Sequence, residues 1–119
     1  MAVRIKRVYE PAEHSDGYRV LIDRIWPRGV SKQSAGLDEW ARELAPSSDL
    51  RRWFAHDPAK FDEFRVRYRG ELADHQEKLR ELCRRGRKGT LTLVYAARDT
   101  EHNDAVVLAE LLRHHRCDG

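Results

Sequence analysis

The run TLTLVYAARDTEHNDAVVLAELL, residues 90–112, decides the fold because it joins an apolar strand to an amphipathic helix through a turn of polar side chains. Thr90 to Ala96 is short, β-branched and aromatic, and apolar without strict alternation, the pattern of a strand buried on both faces. Seven polar residues, Arg98 to Asp104, follow where the strand should reach the surface. Ala105, Val106, Leu108, Ala109 and Leu112 then recur at helical spacing. Acids occupy the first turn of that helix and Arg113, His114, His115 and Arg116 its last, the order that complements a helix dipole. In open α/β sheets, ligands bind beyond the carboxyl ends of strands, close to helix N-termini whose free N–H groups attract anions. The turn from Arg98 to Asn103 is therefore a candidate site. The competing structural reading is that Asp99 caps the helix and Arg98 pairs with it.

The 119 residues form one domain, 1–119, long enough to bury a core without staples. Charged residues make up 36% of the chain, yet Leu, Val, Ile and aromatic residues are spread along it, so the composition is globular rather than disordered. No apolar run approaches the roughly 20 residues of a membrane span, and the N-terminus has no signal-peptide core. The expectation is a soluble cytoplasmic protein with no membrane partner. Cys83 and Cys117 show neither C-x-x-C spacing nor a cysteine–histidine cluster of zinc-finger type, so Cys83 reads as a small core residue without a structural disulfide. The formal charge is +3. Most of the excess is arginine interspersed with acids over residues 65–80, as on a solvated helix face. Arg84, Arg85, Arg87 and Lys88 are denser and close that helix, where cations suit the dipole; nucleic-acid contact is the alternative.

Upstream, Val3, Ile5 and Val8 alternate with basic residues as a short strand near a sheet edge. Residues 10–17 form a loop, and YRVLIDRIW, residues 18–26, is a second strand with Val20, Leu21 and Ile22 buried on both faces. The link is too short for an ordinary parallel crossover, which leaves the mutual direction of the two strands open. Asp23 and Arg24 close the second strand. Trp26-Pro27-Arg28-Gly29 then sets a proline and a glycine around an arginine, a stiff turn that brings backbone close to a ligand or another segment. Structurally, Asp23 paired with Arg24 or Arg28 would settle buried charge. Ser31 to Ala35 fits one helical turn. Over Asp38 to Ala45, Trp40 and Leu44 fit either a helix or a strand ending at Pro46, with the local pattern slightly favouring helix. Ser47 or Ser48 caps a short helix through Phe54, and Asp57-Pro58 opens a long one. Phe61, Phe64, Tyr68, Leu72, His75, Leu79, Leu82 and Cys83 mark its apolar face over about seven turns. Gly70 is a candidate kink, and His75 reads as a hydrogen-bonded filler of the apolar face. Phosphate-loop, dinucleotide-binding, zincin and serine-hydrolase motifs are missing, and no internal repeat occurs.

Three blocks stand in order: VLIDRIWPRGVSK from Val20, LAPSSDLRRWF from Leu44 and LVYAARDTEHNDAVVL from Leu93. Together they resemble the YeaO-like branch of domain of unknown function family 488 (DUF488), over nearly the whole chain. The resemblance implies a small three-layer, Rossmann-like α/β domain with a mostly parallel sheet of about four strands flanked by helices. It implies a strand rather than a helix for Asp38 to Ala45, and it implies no settled activity. More distant relatives carry a cysteine and a glutamate at the end of the last strand and a Cys-His-Arg at the next helix. Here Tyr95 to Asp99 and His102 to Asp104 stand in those places without cysteine, so thiol chemistry does not carry over.

On that topology Asp23, Arg24 and Arg28 follow one strand, Pro46 and Ser47 another, and Arg98, Asp99, His102 and Asn103 a third. All three blocks then converge on one rim of the sheet. The expected function is an enzyme or binding domain for a small anionic ligand, phosphate-containing or a nucleotide. Asp23, Arg24, Arg28, Ser47, Tyr95, Arg98 and Asn103 would bind it, and Asp99 and His102 would move protons. Asp23, Asp99 and His102 are residue types that suit a metal, but no ligand spacing calls for one, so neither a metal nor a cofactor is assigned. Two alternatives stand beside this. One is a nucleic-acid-associated domain using Arg84 to Lys88, with Trp26 or Trp53 as stacking surfaces. The other is a non-catalytic structural or interaction domain whose charged blocks form a buried ion network or a dimer contact.

Overall fold

A computed structural model describes residues 2–114. The run that opens the sequence argument forms strand β4, Thr90–Tyr95, five of whose six residues are buried. With β1 (Ala2–Arg7), β2 (Tyr18–Leu21) and β3 (Glu39–Trp40) it makes a sheet of order β1-β4-β2-β3. Every pairing is parallel. That settles the direction left open by the short link: β1 and β2 run the same way, with β4 inserted between them and β1 at the edge.

Alternate strand positions build two unlike faces. Val20, Ile22, Leu91, Leu93 and Tyr95 join the larger core, with Val3 and Ile5 packed against it. Leu21, Val94 and Val8 turn the other way into a smaller one. The larger core is closed by α2 (Ser48–Phe54), α3 (Phe61–Leu72), α4 (Gln76–Lys88) and α5 (Asp104–Arg113). The smaller face is covered by α1 (Lys32–Ala35) and its flanking loops. The result is a three-layer α/β domain with outer layers of unequal thickness.

The departures from the sequence reading have local causes. β2 stops at Leu21 rather than Trp26. Ile22 N–H still reaches the Val94 carbonyl at 3.2 Å, but the next β4-side donor, Ala96 N–H, goes to the Asp23 carboxylate at 2.8 Å. The chain then leaves the sheet, and Trp26 packs edge-on to Trp40 with ring centroids 5.3 Å apart. β3 is a strand, as the resemblance implies, but of two residues. A 3₁₀ turn, Arg42–Leu44, takes up the helical part of the local pattern. The long helix after Asp57 is divided: a 3₁₀ turn at Pro58–Lys60 precedes α3, and another at Ala73–His75 separates α3 from α4. Apolar periodicity reads a buried face, which continues from Leu72 to Leu79, and does not register the interruption; Gly70 lies within α3. Ser47 caps α2 through its hydroxyl oxygen, which accepts Leu50 N–H at 3.2 Å. Cys83 is buried and disulfide-bonded, which overturns the expectation of a core thiol without a bridge; Cys117 lies outside the described residues.

The thin layer is held down by a buried ionic network. Asp16 and Arg19 are each 3% exposed. Arg19 donates to Asp16 at 2.7 Å and to the Ala35 and Gly36 carbonyls at 2.7 and 3.1 Å, and Lys6 reaches the same carboxylate at 3.1 Å. Thr92, from β4, donates to the Asp16 carbonyl at 2.7 Å. The adjoining Gly17 has φ +65°, and a Cβ there would stand 2.2 Å from the Thr90 carbonyl oxygen, so only glycine fits. Burial raises the Asp16 pKa, but the Glu13 amide, Lys6 and Arg19 outweigh it and hold the carboxyl below its ordinary value. Its stabilisation is thus present above the unfolded carboxyl range and is lost as pH falls through the depressed folded value. Asp16→Asn, which removes the counter-charge of buried Arg19, is expected to cost roughly 3–5 kcal/mol. Denaturant titration at neutral pH checks the size, and a flatter acid limb in the variant checks the sign.

Candidate functional site

The rim at the carboxyl ends of the strands is centred on two acids. Asp23 follows β2, and Asp104 opens α5. Their carboxyl groups are hydrogen-bonded to each other, with Asp104 as the donor to Asp23. Two ionised carboxylates in contact repel, which makes the pair take up a proton more readily than either acid alone. Burial raises both pKa values. Asp104 goes well above its ordinary value because burial, the Asp23 charge and the shared bond all act the same way. Asp23 is raised by burial against the opposing pull of the Asp104 bond, the Ala96 amide and the charges of Arg51 and His56. Beneath them Tyr68 donates its hydroxyl to the Leu44 carbonyl. Burial, then the charges of Asp104, Asp23 and Glu71, push that phenol well above its usual range.

The tip of α5 is closed by its own residues. Asn103 is the N-cap: its Oδ1 accepts Val106 N–H at 2.9 Å, and its Nδ2 donates to the Asp99 carbonyl at 2.8 Å. Asp104 Oδ1 accepts Ala105 N–H at 2.8 Å. Asp99 is therefore not the cap, and its partner is His102 rather than Arg98. Its Oδ1 accepts the Glu101 and His102 amides at 2.9 and 3.0 Å, and its Oδ2 lies 2.9 Å from His102 Nδ1. The Glu101 amide and then the His102 contacts outweigh burial and hold the Asp99 carboxyl below its ordinary value. The His102 ring meets Phe61 edge-on at 5.1 Å. Tyr95, 2% exposed, is hydrogen-bonded to Asn103, and burial pushes its hydroxyl up.

At the flank, Arg24 Nε donates to the Pro46 carbonyl at 3.2 Å. Ser47 gives both its amide and its hydroxyl to Glu71, at 2.8 and 2.6 Å. A groove of about 270 Å³ opens here, lined among others by Arg24, Glu43, Ser47, Glu71, Asp74 and His75. His75 is half-buried and faces this groove instead of filling the core.

Of the residues that the sequence singles out, Asp23, Arg24, Ser47, Tyr95, Asp99, His102 and Asn103 gather at this rim through the contacts above. Arg28 and Arg98 stay at its periphery, exposed; the Arg28 carbonyl accepts the Tyr9 hydroxyl at 3.0 Å. Among the described residues Asp23 makes no ion pair with Arg24 or Arg28, contrary to the charge-settling expectation. No group of three or more His, Cys, Asp or Glu among them is placed to hold a metal ion. Sequence reasoning missed Asp104, Tyr68, Glu71, Arg51 and His56. Asp104 was visible as an acid in a first helical turn, and Tyr68 and Glu71 share one helix face at i and i+3. Arg51 and His56 gave no signal; the turn that presents His56 has two successive positive φ angles, 48° at Ala55 and 56° at His56.

A family model described as the inactive DUF488-N3 subclade matches residues 2–117. The chain is 47% identical over 113 residues to the uncharacterized protein YeaO of Escherichia coli strain K12, covering 95% of this chain and 98% of that one. It is 44% identical over 110 residues to the uncharacterized proteins Rv3073c of Mycobacterium tuberculosis strain H37Rv and Mb3100c of Mycobacterium bovis, covering 92% of each chain in both comparisons. No solved structure matches.

The raised pKa values of Asp23 and Asp104 have a measurable consequence. Folding raises these carboxyl pKa values, so the stabilisation is fully present below the unfolded range and is lost as pH rises through the raised folded values. Asp104→Asn keeps a donor toward Asp23 without a charge to gain. Its melting temperature is expected to exceed that of the native chain at pH 8, with the gap closing toward pH 4. A gap that stays constant over that range contradicts the pair.

Proposed function

Because the chain belongs to the DUF488 family, as a YeaO-like member of its inactive N3 subclade, we propose that it is a non-catalytic binding or interaction domain. The observation that carries this reading is the Asp23–Asp104 pair at the tip of α5. In this fold class that position ordinarily offers free amides and positive dipole to an anion. Here the Ala105 and Val106 amides are taken by Asp104 and Asn103, and a phosphate would meet a carboxylate. The remaining reactive groups are similarly engaged. Ser47 caps α2 and is held twice by Glu71, which keeps its hydroxyl in a structural bond. The Asp99–His102 pair has the composition of a general-base dyad, but the carboxylate is also bound by two backbone amides that define the turn.

Anion binding without chemistry is the second reading, favoured by one observation: Arg28 and Arg98 are exposed, and neither makes an ion pair among the described residues. A phosphate ester or nucleotide would then be held by Arg24, Arg28 and Arg98 outside the helix tip. Thermal shift with phosphate, sulfate and nucleotides, beside a phosphate-ester hydrolysis assay, separates the two. The expected result is no turnover and no shift. A shift abolished by Arg98→Ala moves the conclusion to anion binding, and turnover lost in His102→Ala overturns the non-catalytic reading altogether.

A further inference from the structure

The groove beside Ser47 opens where the topology parts two strands. β2 and β3 are parallel neighbours. The chain leaving β2 passes over the thin face through α1, whereas the chain leaving β3 passes over the larger core through α2, α3 and α4. Where neighbouring strands send their connections to opposite faces of a sheet, a crevice forms beyond their carboxyl ends, and small ligands of α/β domains bind in such crevices. This groove is built in that way. Arg24 comes from the segment after β2, Glu43 and Ser47 from the segment after β3, and Glu71, Asp74 and His75 from the end of α3 and the 3₁₀ turn beyond it.

Its charges are unequal and mostly unspent. Glu71 is committed, with one carboxylate oxygen on the Ser47 amide and the other on the Ser47 hydroxyl. Glu43 and Asp74 are exposed, and among the described residues their side chains and that of His75 make no hydrogen bond or ion pair. Arg24 spends only Nε, on the Pro46 carbonyl, which anchors the guanidinium and leaves its two terminal nitrogens for an incoming group. Buried Ala45 and Leu72 also line the groove, so its wall is apolar as well as charged.

That lining narrows the ligand. A phosphate would meet three carboxylates against one guanidinium. A divalent cation has no place either, because no three acid, histidine or cysteine side chains among the described residues converge on one point. The charges are spread along the groove and call for a ligand whose own charges are spread. A volume of about 270 Å³ stands near the lower end of small-molecule sites, roughly 300 Å³ and upward, and suits a metabolite rather than a polymer.

We infer that the groove binds a free basic amino acid. Its carboxylate lies on the terminal nitrogens of Arg24, its two cationic groups meet Glu43 and Asp74, and its methylenes run against Ala45 and Leu72. One guanidinium beside two uncommitted carboxylates matches a molecule with one negative and two positive charges. The inference deepens the binding-domain reading, on which it rests, by naming the ligand class.

Isothermal titration calorimetry on the full chain tests it with L-lysine and L-arginine, beside cadaverine, L-glutamate and inorganic phosphate. The basic amino acids are expected to bind at least about tenfold more tightly than the other three. Arg24→Gln should weaken lysine binding about tenfold and leave cadaverine unchanged, whereas Glu43→Gln/Asp74→Asn should weaken both by about that factor or more. All three positions are exposed, and an unchanged melting temperature of each variant confirms that the fold is kept. No heat with lysine or arginine, equal affinity for cadaverine, tighter binding of glutamate or phosphate, or lysine affinity unaltered in the double variant overturns the inference and leaves the non-catalytic reading standing. Turnover of a phosphate ester would instead sink that reading and leave a positive lysine titration in place.

Discussion

The bond from Ala96 N–H to the Asp23 carboxylate governs how this chain leaves its sheet. After Ile22 has met Val94, a backbone carbonyl from β2 would be the expected next acceptor for β4. A side chain takes that place. The ladder ends without leaving the donor unsatisfied, as a buried amide requires, and the two strands separate. Beyond β2 the chain goes on to Trp26 at the thin face, and beyond β4 to the Asp99 turn and α5. The same carboxylate then receives Asp104, so one side chain ends the sheet and anchors the following helix.

The unequal outer layers explain why charge is buried on one face and scarcely on the other. Four helices close the larger core with Phe54, Phe64, Tyr68, Leu79, Leu82 and Leu108, and little directional bonding is needed there. A four-residue helix cannot cover a sheet face by apolar area alone. Asp16, Arg19 and Lys6 supply the directional bonds instead, fixing the loop before β2 and the end of α1 to the strands at defined points. A satisfied network of this kind favours one arrangement over others more than it adds stability. It also leaves the upper part of that face, around Trp26 and Trp40, to be covered by rings and arginine stems whose polar ends stay in water.

What could be read from the sequence was whatever a local period or a cap encodes. β4, α5, the edge placement of β1 and the Ser47 cap follow from patterns only a few residues long, and the convergence of the three blocks follows from parallel topology. The break between α3 and α4 is silent because the apolar spacing runs through it. The exchange of roles between Asp99 and Asn103 is silent too, since either residue type can cap a helix or brace a turn, and only the backbone path decides. The Asp23–Asp104 pair joins residues from opposite halves of the chain. An acid at a first helical turn reads as dipole complementation wherever it occurs, so nothing in the sequence marked Asp104 as half of a pair.

Arginines near a strand end invite an anion reading, but what matters is which groups remain unsatisfied once the chain has folded. A reaction centre keeps donors and charges oriented toward a substrate that has yet to arrive, which costs stability in the free protein. At this rim the Ala105 and Val106 amides, the Ser47 hydroxyl, the Asp99 carboxylate and the Tyr68 hydroxyl already have partners within the chain, and Asp23 and Asp104 are bonded to each other. Groups so engaged are what supports the proposed non-catalytic reading.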